Sequence, residues 1–137
     1  MGLSDLVEVR EGVDYLGSLR EMSEADVLVL VEAPAETNLF LPSKLVDYLG
    51  AGPPVLAITP SRGPAARLLT DPVDRVMAPE NTEGIAAALL DYIRRFRNGE
   101  LTSTRRSADA VASLRCEATA GILAEVIGRV SSRAALG

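Results

Sequence analysis

Histidine is absent from the 137 residues, and cysteine and lysine occur once each, as Cys116 and Lys44. Without histidine the chain lacks the commonest general base and the commonest transition-metal ligand of proteins. A lone cysteine forms no internal disulfide; set in an alanine-rich helical stretch, Cys116 reads as a small core residue in a reducing compartment. No apolar run approaches the roughly 20 residues that span a bilayer. The start, Met1, Gly2, Leu3, Ser4 and Asp5, lacks the basic-then-apolar order of a signal peptide. A cytoplasmic protein with no transmembrane segment is expected. Low-complexity tracts are missing as well, so residues 1–137 are read as one domain, able to bury roughly two-thirds of its unfolded surface. The net charge is −5 and the arginines are scattered. Nucleic-acid surfaces need a concentrated basic stripe, and none is present.

What is present centres on residues 38–58, which read as a loop, a short helix, a glycine stop and a buried strand. The helix is expected to begin near Pro42 or Ser43, since proline suits the first helical position and a serine hydroxyl accepts a bond from the amides behind it. Leu45, Tyr48 and Leu49 then share one face, with Asp47 off that stripe. Gly50 and Gly52 can take the positive φ that ends a helix, and Pro53 and Pro54 forbid continuation. Residues 55–58 form an apolar run typical of a strand covered on both sides. Lys44 stands at the start of this helix, where a compact ammonium suits a phosphate; the alternative is an arginine-rich background with one lysine left by chance.

The flanking chain alternates strands and helices. Residues 6–9 are a strand candidate, and Asp14 caps a helix with apolar positions Leu16, Leu19 and Met22. Residues 26–31 form an apolar strand expected at the centre of a parallel sheet. After a loop at 59–63, a short helix carries Ala65, Ala66, Leu68 and Leu69, and residues 74–78 read as another strand. Asn81 or Thr82 caps a helix whose apolar face holds Ile85, Ala88, Leu89, Tyr92, Ile93 and Phe96, stopped by Asn98 and Gly99. Beyond it, Ala108, Val111 and Leu114, then Ile122, Leu123, Val126, Ile127 and Val130, imply one kinked or two consecutive helices, with 131–137 frayed. The fold class is therefore α/β: a Rossmann-like parallel sheet of about four strands flanked by helices, with a core at 1–100 and C-terminal helices at 101–137. Such sheets bind ligands beyond their carboxyl ends, here residues 32–43 and 59–62.

The order Ala-Asp-Val-Leu-Val-Leu at 25–30, Leu-Pro-Ser-Lys-Leu-Val-Asp-Tyr-Leu-Gly-Ala-Gly-Pro-Pro-Val-Leu-Ala at 41–57 and Val-Met-Ala-Pro-Glu-Asn at 76–81 resembles the C-terminal, nucleotide-sugar-binding half of GT-B type retaining glycosyltransferases, family 4-like. The resemblance implies a UDP- or GDP-sugar donor, no separate cofactor and no obligatory metal. It places the diphosphate at Pro42, Ser43 and Lys44, and the ribose hydroxyls at Asp47, one methylene shorter than the family's usual glutamate. The family's second glutamate, which contacts the sugar, falls at Leu39; Glu36 and Asn38 are the nearby alternatives for that contact. The acceptor would be a glycan or lipid-linked molecule.

The same resemblance makes the strand at 6–9 the third and that at 26–31 the fourth of a 3-2-1-4-5-6 sheet. Two strands and an acceptor-binding domain would then be missing, leaving an incomplete, N-terminally truncated C-terminal domain, inactive alone and partnered by the missing N-terminal part of a two-domain enzyme. An open sheet edge or an uncovered last helix would favour a homodimer. The competing expectation is a degenerate, non-catalytic α/β interaction module.

Overall fold

A computed structural model of the chain describes residues 6–35, 39–101, 106, 111–112 and 114–134. The described elements are α1 (Tyr15–Glu24), β1 (Leu28–Val31), α2 (Ser43–Ala51), β2 (Val55–Ile58), α3 (Pro64–Leu68), β3 (Arg75–Met77), α4 (Thr82–Arg97) and α5 (Cys116–Ala134). The strands form one parallel sheet in the order β1-β2-β3, with Leu28 opposite Val55, Val31 opposite Ile58 and Ile58 opposite Met77. Parallel strands need a crossover between them, and α2 and α3 supply it.

Alternation along the strands divides the core in two. Leu28, Leu30, Val55 and Ala57 face Leu45 and Leu49 of α2 and Ala65 and Leu69 at α3. Leu56 faces the other way, onto Ala88 and Tyr92 of α4 and Leu101. The α2 stripe is as its spacing predicts, with Leu45 and Leu49 buried. Gly52 ends α2 in the left-handed region at φ 96°, its amide donating to the Tyr48 carbonyl. Gly50 stays inside the helix, so one of the two candidate glycines performs the stop. Gly99 has the expected positive φ after α4.

Several expectations need correction. Residues 6–9 form no strand; Leu6, Val7 and Val9 are exposed, because none of the described strands lies beside them to complete their hydrogen bonds. The sheet thus has three described strands rather than about four. β1 is not central: it lies at the edge of this sheet, and its outward residues Val29 and Val31 are 43% and 69% exposed. On α4 only the part of the apolar face over β2 and β3 is covered, so Ala88 and Tyr92 are buried while Leu89, Ile93 and Phe96 remain partly exposed. Leu16 is exposed as well, since α1 packs chiefly against α2. Cys116 is an exposed residue opening α5, not a core residue. α5 continues to Ala134, past the expected fraying point, and Ile122, Leu123, Val126, Ile127 and Val130 line it without burial. Val111 and Leu114 pack on the first core; Ala108 lies outside the described residues. No helix among the described residues is long and apolar enough to cross a membrane.

Candidate functional site

Because α2 is the return between two parallel strands, its N-terminus lies at the carboxyl end of β1 and its C-terminus at the start of β2. The first helical residue is Ser43, and Pro42 is the N-cap. No side chain caps this end, contrary to the expected serine cap, because Ser43 lies one position inside the helix; the Pro42 carbonyl instead accepts from the Leu45 amide at 3.0 Å. The amides of Ser43 and Lys44 open the helix, where backbone dipoles favour an anion. Both side chains are exposed and Pro42 is half-buried.

Asp47 is one turn below Ser43 and on the same side of α2. That side meets α1, where the Asp47 carboxylate accepts a hydrogen bond from the Tyr15 hydroxyl at 3.2 Å. The negative charge of Asp47, followed by this hydrogen bond, raises the Tyr15 pKa above that of an ordinary tyrosine. Asp47 also borders an open cleft of about 380 Å³ with Leu19, Ser23, Val46, Gly50 and Ala51. The cleft therefore has a carboxylate on an otherwise mostly apolar wall. Leu39, at the family's sugar-contact position, is 84% exposed; Glu36 and Asn38 lie outside the described residues.

A pair not identified from the sequence stands at the same end of the sheet. Glu32 and Thr59 are the first residues beyond Val31 and Ile58, which are register partners. Their backbones continue the ladder: the Glu32 amide donates to the Ile58 carbonyl and the Thr59 amide to the Met77 carbonyl, each at 2.9 Å. The fully buried Thr59 hydroxyl donates to Glu32 Oε2. A polar residue directly following each of two apolar runs was the available signal, but their pairing required the register.

A different polar centre lies at the opposite end. Asp74, just before β3, accepts from the Val55 amide at 2.9 Å and from both terminal nitrogens of Arg106 at 2.6 Å. The Arg106 amide donates to the Gly52 carbonyl at 2.8 Å. This centre joins β2, β3 and the segment after α4, and its buried side chains are occupied with one another.

Among the described residues, no three His, Cys, Asp or Glu side chains gather as a metal site would require. Comparison of the chain with protein-family models, with curated proteins and with solved structures gives no match.

Proposed function

We propose that the chain is the donor-binding part of a GT-B type glycosyltransferase, taking a nucleoside diphosphate sugar at the carboxyl end of β1. The observation that carries this reading is the α2 N-terminus, with Ser43 and Lys44 at its opening and Asp47 one turn along the same helix. A diphosphate would receive the first amides and the Lys44 ammonium, while Asp47 accepts from ribose hydroxyls in place of Tyr15. Fixed donors aimed at the diphosphate also suit the negative charge that grows on a leaving nucleotide. The Pro-Ser-Lys-Leu order and its resemblance to the family support the same assignment.

Calorimetric titration of the 137-residue chain with UDP and GDP tests the reading. Binding of one nucleotide, weakened about tenfold in both Lys44→Ala and Asp47→Ala, is expected, since one charge-assisted contact contributes on the order of 1.5 kcal/mol. Absence of binding to either nucleotide would sink it.

A second reading, a non-catalytic interaction module, is favoured by the exposed apolar stripe of α5 and the edge position of β1. It requires self-association through these surfaces with no nucleotide affinity. The nucleotide titration separates it from the first, and sedimentation velocity tests its surfaces: a chain that binds UDP or GDP and stays monomeric at all concentrations, unaltered by Ile127→Glu, contradicts this alternative.

A further inference from the structure

The two faces of β1 are covered unequally. On the α2 side, Met22 of α1 and Ala25 just after it join Leu45 and Leu49 over Leu28 and Leu30. On the α4 side, Val27, Val29 and Leu101 form with Leu89, Ile93 and Phe96 an open trough of about 340 Å³. Val29, Leu89, Ile93 and Phe96 are each 42–55% exposed there, an apolar patch of the kind that marks a docking surface. The outer edge of β1 is poorly suited to an added strand. Even-numbered residues of β1 bond to β2, so the Val29 carbonyl points outward, and the Tyr48 hydroxyl already donates to it at 3.4 Å. The trough is therefore suited to the apolar side of a helix.

The chain also carries a helix face that lacks a partner of this shape. The α5 stripe from Ile122 to Val130 is 46–63% exposed at its five apolar positions. It is about 12 Å long at the helical rise, and Val27 to Val31 extends about 13 Å at the strand rise. The helix does not reach the trough of its own chain. Val111 and Leu114 pack on the core cluster of Leu28, Leu45 and Val55, which puts the start of α5 on the opposite face of the sheet. Packed layers stand roughly 10 Å apart, and Arg115, alone between Leu114 and Cys116, lets the chain move at most about 7 Å before the helix begins. We propose that α5 of a second copy fills the trough, so that two copies exchange their last helices about a two-fold axis. Each chain gives one helix and receives one, and both apolar surfaces are covered in two equal contacts. This goes beyond either functional reading: the trough lies on the face of the sheet opposite α2, so the exchange neither requires nor forbids a nucleotide at the α2 N-terminus.

Sedimentation velocity on the full chain tests the exchange with complementary variants, Ile127→Glu on the helix and Ile93→Glu in the trough. Both positions are about half exposed, so the fold should survive each change, checked by an unchanged melting temperature. Should Ile93→Glu melt lower, Phe96→Glu, at a more exposed position of the same trough, takes its place. The wild type is expected to form a concentration-dependent dimer. Each variant alone should self-associate about a hundredfold more weakly or worse, since it would bury a carboxylate without a partner. Mixed in equal amounts, the two variants should recover a dimer weaker than that of the wild type, because the intact helix of Ile93→Glu enters the intact trough of Ile127→Glu and one good contact of the two remains. A mixture as monomeric as its components overturns the exchange, as pairing of helix with helix or trough with trough would give that result. A monomeric wild type, or a dimer that Ile127→Glu leaves as tight, overturns it too. Titration with UDP and GDP is read separately, so failure of the donor-binding reading is distinguishable from failure of the exchange.

Discussion

Asp74 and Arg106 form a two-pronged ion pair, 2.6 Å on each arm, with 1% and 2% of their side chains exposed. Asp74 also receives the Val55 amide at the entry to β2, and the Arg106 amide reaches Gly52 at the end of α2. The pair therefore ties the segment after α4 to the end of the sheet opposite the candidate site. Among the described residues the Arg106 Nε has no hydrogen-bond partner, so the fork is satisfied through its two terminal nitrogens.

Breaking one side of this pair strands a buried charge. Arg106→Met is expected to cost about 3–5 kcal/mol, and Asp74→Asn a comparable amount, read as a lower urea midpoint. The double variant should recover much of the loss, because neither charge is then left alone. Additive single and double effects would show that the two side chains act independently.

Gly52 carries the turn between α2 and β2 at φ 96°. An L residue with a Cβ is strained there, and Gly52→Ala should lower stability by about 1–2 kcal/mol. Gly50→Ala, inside α2 with open space at its Cβ position, should instead stabilise by up to about 1 kcal/mol. The two denaturation midpoints moving the same way would refute this division of roles.

Burial pushes the Tyr92 pKa up to about 12, and its hydroxyl donates to the Val73 carbonyl at 2.9 Å. The native state thus keeps the proton that the unfolded chain releases near pH 10. The stability from this group is fully present below about pH 10 and is lost as pH rises from there through about 12. Urea midpoints measured over that window should fall in the wild type and fall less steeply in Tyr92→Phe, which itself costs about 1 kcal/mol at neutral pH. Parallel slopes would remove Tyr92 as the cause.

Tyr15 and Asp47 offer a spectroscopic test of the α1 and α2 contact. Replacing Asp47 with Asn removes the charge that raises the Tyr15 pKa, so the Tyr15 phenol should ionise at lower pH in the variant. Ultraviolet titration, with Tyr15→Phe identifying the band, reads the shift. If nucleotide displaces the Tyr15 hydroxyl from Asp47, Tyr15→Phe should bind UDP or GDP at least as tightly as the wild type. Weaker binding would mean that Tyr15 assists the ligand instead of competing with it.

Lys44 separates charge from position at the α2 N-terminus. Lys44→Arg should retain most nucleotide affinity and Lys44→Ala should lose about tenfold, with a steeper dependence on salt in the wild type than in the alanine variant. A salt dependence that is the same in both would place the diphosphate away from this residue.

Much of the local architecture is legible in residue order. The Leu45 and Leu49 spacing marks the buried side of α2, Gly52 followed by two prolines marks its end, and Asp14 and Asn81 mark the starts of α1 and α4 by accepting from Gly17 and Gly84. These features depend on backbone preferences and bonds spanning three or four residues, which a linear reading captures. Glu36 and Asn38, outside the described residues, remain known from residue order alone.

Tertiary structure decided the rest. An apolar run reports that a strand wants cover, not which neighbour supplies it, so residues 26–31 suggested a central strand while β1 lies at the edge of the described sheet. The same limit applies to α5, whose stripe is evident in sequence and uncovered in space. Glu32 meets Thr59 across 27 positions, and Asp74 meets Arg106 across 32. Neither contact has a local period to announce it. Each exists because parallel pairing and a long return of the chain bring distant polar groups to one end of the sheet, where leaving them unpaired would be costly.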